Sequence, residues 1–367
     1  MVAMRSVSIS ALETALAIAP VMCEIADRLS LLYLPKGVRV VEEPADLVAE
    51  LDSLEPQASG AILIPFIDLA YVERIPTYRL EHEPLGRDLN AVLATRYDDV
   101  ASCLLRQSDV AAYVAERVEA IRPDCVVWLI VDGLAYGDVA RHAPAWLRRA
   151  RPVLVDGIST TGRGMPRLVG MPRLVSRLFA QGYVNAHGFT YWTREGNDLT
   201  DTLFAGFGKN VKASPSIGAV VTSLQALALD RAYVQVIRDG TDHVAHEWRD
   251  TPPVEALVQG CFDQFERLAD VVRAAGRSGL LFLSTDHGML WREEHEMVTL
   301  PEPGQPHPRY HEAPRIGERL FTFPGVEGTG SALQYPYVRR NLRANEWGVH
   351  GGLSYEESVI PLVELAV

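Results

Sequence analysis

Acidic and histidine residues follow directly after three apolar runs of this 367-residue chain. The runs, with a fourth near the end, are Cys125–Val131, Tyr233–Ile237, Leu280–Leu283 and Val359–Leu365. The polar residues are Asp132, Asp242, His246, Asp286 and His287, joined by His350 in a glycine-rich segment before the fourth run. Ligands bind outside the carboxyl ends of the strands in open parallel sheets. We therefore expect these side chains to meet at one edge of a sheet.

Three carboxylates and three imidazoles at one edge are a costly charge load for a purely structural site. Mixed Asp and His ligation suits zinc, and manganese is the second choice because oxygen ligands are plentiful. Asp242 and His246 are four residues apart, which places both on one face of a helical turn. Six ligands suit two metals that each keep an open position.

A hydroxyl cluster, Ser159-Thr160-Thr161, precedes a predicted helix and offers a nucleophile for displacement at phosphorus. The amides at a helix N-terminus also favour a bound anion. Arg163 lies in the first turn of this helix and is our candidate for gripping phosphate oxygens bidentately. An ordinary N-cap is the alternative interpretation of the hydroxyls.

Strands alternate with helical patterns from residue 124 onward, which predicts an α/β fold with a doubly wound, mostly parallel sheet and helices on both faces. The helices are expected from Arg163 or Met165 to Gln181 and from Val254 to Ala275. Pro361 in the last run predicts an edge strand. A tandem copy of Gly-Met-Pro-Arg-Leu-Val, at 164–169 and 170–175, makes the register near the hydroxyls uncertain.

Two domains are expected: a smaller N-terminal α/β or helical appendage over residues 1–122, and the main domain over 123–367. The appendage is predicted to contain strands at Val38–Val41 and Ala61–Phe66. A proline-rich insertion near 291–347 interrupts the main domain. His311 in this insertion is a candidate substrate-binding residue, with a polar loop residue as the alternative.

Hydrophobic residues make up 48% of the chain and charged residues 22%, and the net charge of −12 argues against a basic nucleic-acid binder. The four cysteines form no CxxC pair, which argues against a disulfide scaffold or a thiolate zinc site. Ser10 and Glu13 form a capping-box pattern, which favours a helix over a signal peptide. No apolar run is long enough to span a membrane. The preference for a helix over a signal peptide, together with the cysteine pattern, predicts a cytoplasmic protein.

The order Asp132-Gly, Thr160, Asp242-xxx-His246, Asp286-His287, His350-Gly resembles the metal and nucleophile pattern of the alkaline phosphatase superfamily. Within that superfamily, the run His350-Gly-Gly-Leu-Ser-Tyr-Glu-Glu-Ser-Val-Ile-Pro361 looks like the PglZ domain, which is found in BREX-type phage-defence systems and some response regulators. The likeness covers about residues 124–367. It implies an alkaline-phosphatase-like fold for the main domain.

The resemblance also implies residue roles. One metal would be held by Asp242, His246 and His350. The second would be held by Asp132, Asp286, His287 and the oxygen of the nucleophile. Thr160 falls at the family's nucleophilic threonine, with Ser159 and Thr161 as alternatives because the tandem copy lets the register slide.

A two-metal phosphoester hydrolase is therefore expected, with a phosphodiesterase on a nucleotide or nucleic acid favoured over a phosphomonoesterase by the resemblance alone. Its substrate would be a phosphorylated small molecule or a nucleic acid, and protein partners of a defence system are a further expectation. A sulfatase is disfavoured because no cysteine lies near residue 160. The alternative from another class is a non-catalytic scaffold or signalling subunit of a defence system.

Overall fold

The computed structural model describes residues 104–142, 150–192, 199–248, 250–292 and 346–367, together with seven short strands elsewhere and single residues at 49, 101 and 144. The chain divides into two compact units, Met1–Val92 and Leu93–Val367. Among the described residues, no helix has the length and apolar content that crossing a membrane requires.

The first unit contains one five-stranded parallel sheet. Its strands are β1 (Arg5–Val7), β2 (Val21–Ile25), β3 (Val38–Val41), β4 (Ile62–Pro65) and β5 (Thr77–Leu80). Their order across the sheet is β1-β5-β2-β4-β3. The strands predicted at Val38–Val41 and Ala61–Phe66 are confirmed, whereas the polar chemistry discussed above lies in the second unit.

The second unit contains an eight-stranded sheet and two separate pairs of short strands. Its strands are β6 (Leu105–Arg106), β7 (Cys125–Asp132), β8 (Arg151–Leu154), β9 (Asn185–Thr190), β10 (Val211–Ala213), β11 (Ala232–Asp239), β12 (Gly279–Thr285), β13 (Leu290–Trp291), β14 (Leu320–Phe323), β15 (Leu333–Pro336), β16 (Gly348–Val349) and β17 (Val359–Ala366). Its helices are α1 (Val110–Ile121), α2 (Tyr136–His142), α3 (Thr161–Val169), α4 (Arg173–Ala180), α5 (Leu199–Leu203), α6 (Ile217–Gln225), α7 (Thr241–Glu247), α8 (Val254–Ala274) and α9 (Tyr355–Ser358), and a 3-10 turn covers Gln107–Asp109.

The large sheet has the order β10-β9-β11-β7-β12-β17-β8-β6 and is parallel except for β17. Alternate residues of β7 serve its two faces: Trp128 and Ile130 pack with α1, α3 and α4, while α2 and α8 lie on strands from the other side. The predicted doubly wound, mostly parallel α/β sheet with helices on both faces is confirmed. Because β17 runs against its neighbours, its first residues lie at the edge where the other strands end.

Two predicted elements differ from the structure. Pro361 does not mark an edge: β17 lies between β12 and β8, where Pro361 faces Pro152 and the β12 ladder begins only at Leu362. The prolines thus oppose each other across the two strands. The single helix predicted to reach Gln181 is two helices, because Gly170 ends α3 in the left-handed conformation at φ 56°.

The division between the compact units falls after Val92, whereas the expected domain boundary lay after residue 122. Val110–Ile121 belongs to the second unit because its apolar face, including Val114 and Val118, is fully buried in the core of the large sheet. Residues 8–20 and most of the proline-rich insertion lie outside the described residues. Within that insertion the backbone of β14 pairs with β15 as an antiparallel hairpin.

Candidate metal centre

The register of the parallel strands brings the first acidic residues together. Asp239 of β11 is opposite Asp132 of β7, and Thr285 of β12 is opposite Val131, so Asp286 follows at the same level. These strands have continuous apolar sequences because both of their faces are buried. The polar residues begin where each strand reaches the edge of the sheet.

Asp242 reaches the same edge through a close contact between two turns. Gly133 has φ 74°, and a Cβ there would lie 3.2 Å from Cβ of Asp242. Gly240 lies so near the backbone carbonyl of Asp132 that a Cβ would overlap it. The Thr241 hydroxyl donates to the Gly133 carbonyl at 2.6 Å, which locks the first turn of α7 against the end of β7. Glycine is required at both positions for this approach.

The described residues contain two groups of three whose ligand atoms all lie within 4.8 Å of one another: Asp132, Asp286 and His287, and Asp242, His287 and His350. His287 belongs to both groups, and its ring stacks on that of His350 with centroids 4.0 Å apart. The resemblance had assigned His287 to one metal. In the structure its ligand atoms lie within reach of both groups.

In the first group, the Asp286 side chain is completely buried. One of its oxygens accepts hydrogen bonds from neighbouring residues, and the other faces the cluster. Its Oδ1 accepts from the Gly133 amide and from the Thr285 hydroxyl, both at 3.2 Å. Its Oδ2 has no hydrogen-bond partner and lies 3.4 Å from Nε2 of His287. Asp132 lies 3.5 Å from the same nitrogen through its Oδ1.

In the second group, the imidazoles converge on one oxygen of Asp242. Nε2 of His350 lies 2.9 Å from Asp242 Oδ1, and Nε2 of His246 lies 3.3 Å from it. Neither contact has the angles of a hydrogen bond, so this buried oxygen lacks one despite its two close neighbours. His246 lies beside the group, with its Nδ1 3.2 Å from Oε1 of Glu346.

Backbone carbonyls select the ring nitrogens that face the cluster. Nδ1 of His287 lies 2.9 Å from the Gly288 carbonyl, and Nδ1 of His350 lies 3.0 Å from the Ser159 carbonyl. A carbonyl only accepts, so each Nδ1 carries the hydrogen and each Nε2 is directed into the cluster. This is the orientation that metal-binding histidines adopt.

The electrostatics of the cluster favour a cation. Burial alone would lower the pKa of His287, but the carboxylates of Asp286 and Asp132 raise it to about 10. Contacts with Asp242 and Glu346 raise the pKa of His246 to about 9. Burial raises the pKa of Asp286, whereas for Asp242 burial is outweighed by the contacts with His246 and His350, which hold its pKa well below the usual range. The carboxylates thus attract positive charge, which protons supply here and divalent cations supply better.

The hydroxyl cluster before α3 separates into three different environments. Thr161 donates through Oγ1 to Asp132 Oδ1 at 3.0 Å and lies 3.2 Å from Nε2 of His287. Ser159 is fully buried and bonded to the backbone of Gly351 and Gly352. Thr160 is the N-cap residue of α3 and makes no capping hydrogen bond with its side chain. Of the three hydroxyls, that of Thr161 is in contact with the cluster.

Two other residues were predicted for the site, Arg163 and His311. Arg163 is exposed on the first turn of α3, two residues beyond Thr161. His311 lies outside the described residues. Three further arginines contact other parts of the unit: Arg141 bonds Asp138, Arg177 pairs with Glu116, and Arg151 stacks on the Tyr113 ring.

Three residues that sequence reasoning did not find support the cluster. The Tyr191 hydroxyl donates to Asp132 Oδ2 at 2.6 Å, and burial together with Asp132 raises the pKa of Tyr191, which keeps it a donor. Glu346 contacts His246, and the buried side chain of Gln107 donates to the Asp286 carbonyl. Tyr191 directly follows β9, so it also lies at the end of a strand. It could not be found from the sequence because β9 is not a continuous apolar run.

The two residue groups fit divalent metal ions. The donor set of carboxylate oxygens and imidazole Nε2 atoms is one that zinc and manganese accept. Oδ2 of Asp286 and Oδ1 of Asp242 are buried acceptors without a hydrogen bond, which is costly unless something else satisfies them. The fold and these groups define an α/β protein with a candidate two-metal centre.

No protein-family model matches the chain, and no curated protein matches it. Solved structures that resemble it include murine ectonucleotide pyrophosphatase/phosphodiesterase 5, at 11% identity and a TM-score of 0.45 over 65% of this chain and 87% of that one. Phosphonoacetate hydrolase from Sinorhizobium meliloti 1021, in complex with phosphonoacetate, has 13% identity and a TM-score of 0.42 over 66% and 90%.

The C-terminal periplasmic domain of phosphoethanolamine transferase EptC from Campylobacter jejuni has 10% identity and a TM-score of 0.36, covering 66% of this chain and 79% of that one. All three TM-scores lie below 0.5. The function of this chain therefore has to be inferred from its own site residues.

Proposed function

We propose that this chain is a two-metal-dependent phosphoester hydrolase of the alkaline phosphatase superfamily, with Thr161 as its nucleophile. One observation carries the proposal: the Thr161 hydroxyl, at the N-terminus of α3, lies within hydrogen-bond distance of both Asp132 and His287. A hydroxyl that contacts an Asp/His cluster at the N-terminus of a helix is suited to attack a phosphoryl group.

Thr161 is preferred to its two neighbours because of their contacts. The Ser159 hydroxyl donates its hydrogen to the Gly352 carbonyl at 2.7 Å and accepts from the Gly351 amide at 3.0 Å, so it is engaged with the backbone. The Thr160 carbonyl accepts from the amides of the first turn, which fixes that residue as the cap. This choice shifts the nucleophile by one residue from the position that the family resemblance implies.

The two residue groups would each hold one divalent ion, with His246 beside the second group. Zinc is the preferred ion and manganese the alternative. When bound, such ions lower the pKa of a nearby hydroxyl and neutralise charge on phosphoryl oxygens. Tyr191 holds Oδ2 of Asp132, which leaves Oδ1 turned toward Thr161 and the cluster.

The residues support a two-step displacement. Thr161 Oγ1 forms a bond to phosphorus as the bond to the leaving oxygen breaks, and the hydroxyl proton is transferred to that leaving oxygen. A water molecule then attacks the same phosphorus as its bond to Oγ1 breaks, and a proton of this water returns to Oγ1, which releases the phosphate product and restores the Thr161 hydroxyl. Arg163, in the first turn of α3, is the proposed partner of the phosphate oxygens.

The finer assignment is a phosphodiesterase on a nucleotide or nucleic-acid substrate, in a PglZ-like protein of a cytoplasmic phage-defence system with protein partners. The support is the residue pattern from His350 to Pro361 and the absence of paired cysteines in the sequence. His311 remains a proposed substrate contact from the insertion.

The test is hydrolysis of bis(p-nitrophenyl) phosphate and p-nitrophenyl phosphate by protein loaded with zinc or with manganese. We expect Thr161→Ala to reduce turnover by about 10³-fold or more, because the nucleophile is lost. Thr160→Ala is the matched control, one residue away and with the same loss of volume. It should retain turnover within about threefold.

The opposite order, with Thr160→Ala inactive and Thr161→Ala active, would overturn the assignment of the nucleophile. A wild-type protein that binds both metals tightly but turns over neither reporter would favour the scaffold or signalling alternative. Faster cleavage of the monoester than of the diester would replace the phosphodiesterase assignment by a phosphomonoesterase.

A further inference from the structure

Ser159 connects two loops that carry different parts of the proposed site. It precedes α3 and is completely buried. Its hydroxyl donates to the Gly352 carbonyl at 2.7 Å and accepts from the Gly351 amide at 3.0 Å. One side chain thus satisfies both a donor and an acceptor of the glycine-rich segment that follows His350. Buried backbone groups of this kind are costly to leave unpaired.

The backbone of the same residue contacts the histidine itself. The Ser159 carbonyl lies 3.0 Å from Nδ1 of His350, which directs the opposite nitrogen, Nε2, to within 2.9 Å of Asp242. The glycines beside His350 provide few restraints of their own, and Gly351 has φ 106°. The orientation of the ring therefore depends on contacts from another part of the chain, and Ser159 supplies three of them.

Ser159 is also two residues from Thr161. A shift of the loop before α3 would move the Thr161 hydroxyl and the His350 ring together. Thr161 follows Ser159 in the chain, and the His350 ring is hydrogen-bonded to the Ser159 carbonyl. A small buried serine fits this position, since its hydroxyl bonds both the Gly351 amide and the Gly352 carbonyl and its side chain takes up little space beside the cluster.

We propose that Ser159 is a positioning residue that sets the His350 ring for metal binding and holds it in register with Thr161. This inference rests on the proposed function, because it requires that His350 binds a metal. Groups that orient a metal-binding histidine typically change metal affinity by about 10–100-fold when they are removed.

Ser358 provides a matched control for a variant of Ser159. It is also a fully buried serine, and its hydroxyl donates to the same Gly352 carbonyl, although at 3.4 Å. Its hydroxyl hydrogen bond is to Gly352 and not to Gly351. Ser159→Ala and Ser358→Ala therefore each remove a hydroxyl that bonds the Gly352 carbonyl, and they differ in the contacts around His350.

The experiment measures zinc affinity by competition with a chromogenic chelator and hydrogen exchange at the Gly351 amide in the metal-free full-length protein. We expect Ser159→Ala to weaken zinc binding about tenfold or more and to speed Gly351 exchange about tenfold. Ser358→Ala should leave both quantities within about twofold. Ser159→Cys, which keeps a weaker donor and acceptor, should fall between wild type and Ser159→Ala and serves if the alanine variant does not fold.

Two results would overturn the inference while leaving the metal site intact. Unchanged zinc affinity in Ser159→Ala, with faster Gly351 exchange, would make Ser159 a purely structural residue. Equal weakening by Ser159→Ala and Ser358→Ala would indicate a general loss of packing. Wild-type protein that binds no zinc would overturn the proposed metal site and this inference together, and so differs from both.

Discussion

The same six residues, Gly-Met-Pro-Arg-Leu-Val, occur twice in tandem and do different things. The first copy, 164–169, lies within α3, where Gly164 approaches Asp286 of the candidate metal centre. The second copy, 170–175, begins with the residue that ends α3 and continues into the first turn of α4. Identical local propensities therefore lead to a helix interior in one case and to a helix break in the other. The surroundings of each copy decide between these outcomes.

The two copies share their apolar anchors. Leu168 and Val169 are fully buried, and Leu174 and Val175 are 2% exposed. All four belong to the cluster on one face of the large sheet, together with residues of α1 and β7. Burial of these side chains explains why the duplicated segment is tolerated, because each copy supplies the same kind of contact to the same core.

The glycine and the arginine distinguish the copies. Gly164 lies against the Asp286 backbone so closely that a Cβ would overlap its carbonyl, whereas Gly170 adopts φ 56° near Ala111. The Arg167 side chain is only 7% exposed and donates to Oε1 of Gln107 at 2.8 Å. The side-chain amide of Gln107 in turn donates to the Asp286 carbonyl. Arg173, its counterpart in the second copy, is exposed. Only the first copy thus contacts a predicted metal-binding residue.

The largest difference is expected between Gly164→Ala and Gly170→Ala. The first change forces a Cβ into the Asp286 carbonyl and should cost about 3 kcal/mol or more and weaken zinc binding toward 100-fold, because the ligand is displaced. The second places a Cβ 2.8 Å from the Ala111 Cβ in a left-handed backbone, so it should cost about 2–3 kcal/mol, but it should keep wild-type zinc affinity because neither effect involves the candidate metal centre. Thermal unfolding and chelator competition measure the two effects. Equal losses of zinc affinity would contradict the distinction.

Methionine variants should show the next largest difference. Met165 has no exposed surface, so Met165→Ala should lower the free energy of unfolding by about 2–4 kcal/mol. Met171 is only partly buried against the same cluster, and Met171→Ala should cost about 1 kcal/mol or less. Urea denaturation of both metal-free variants provides the comparison. A larger cost at Met171 would show that the second copy is the better packed one.

Metal removal should show which copy of the repeat affects the stability that zinc binding adds. At zinc concentrations about 100 times the dissociation constant, binding should add about 2.7 kcal/mol to stability, which corresponds to a melting temperature roughly 5–10 °C higher. Chelation should remove this increment from wild type and from Gly170→Ala. In Gly164→Ala the increment should be small from the start. If zinc raises the stability of both glycine variants by the same amount, the first copy does not influence the metal site.

The smallest difference concerns the arginines. Arg167→Ala leaves the buried Oε1 of Gln107 without this donor and should cost about 1–3 kcal/mol. Because Gln107 also bonds Asp286, zinc affinity should fall a few-fold as well, to a smaller extent than in Gly164→Ala. Arg173→Ala should change stability by about 0.5 kcal/mol or less. If Arg173→Ala proves the more damaging, the proposed link from Arg167 to Asp286 is wrong.

Much of the fold could be predicted from the pattern of apolar runs. The expected strands at Cys125–Val131, Tyr233–Ile237, Leu280–Leu283 and Val359–Leu365 and the helix from Val254 are confirmed, with bounds that differ by one or two residues. Central parallel strands are buried on both faces, so their sequences are continuous apolar runs that end abruptly. By contrast, β8 and β9 are short and mixed in sequence and were not predicted.

The sequence by itself determined that Asp132, Asp286 and the segment from Asp242 lie at the ends of strands, because each follows an apolar run directly. The tertiary structure decided which side chains point into the cluster. Adjacent residues of a helix differ in direction by about 100°, so the placement of α3 against Asp286 selects Thr161 over Thr160 and assigns Ser159 to the loop of His350. That placement depends on contacts with Gln107, Asp286 and Gly352, which are distant in sequence from α3 and leave no periodic signal in the sequence.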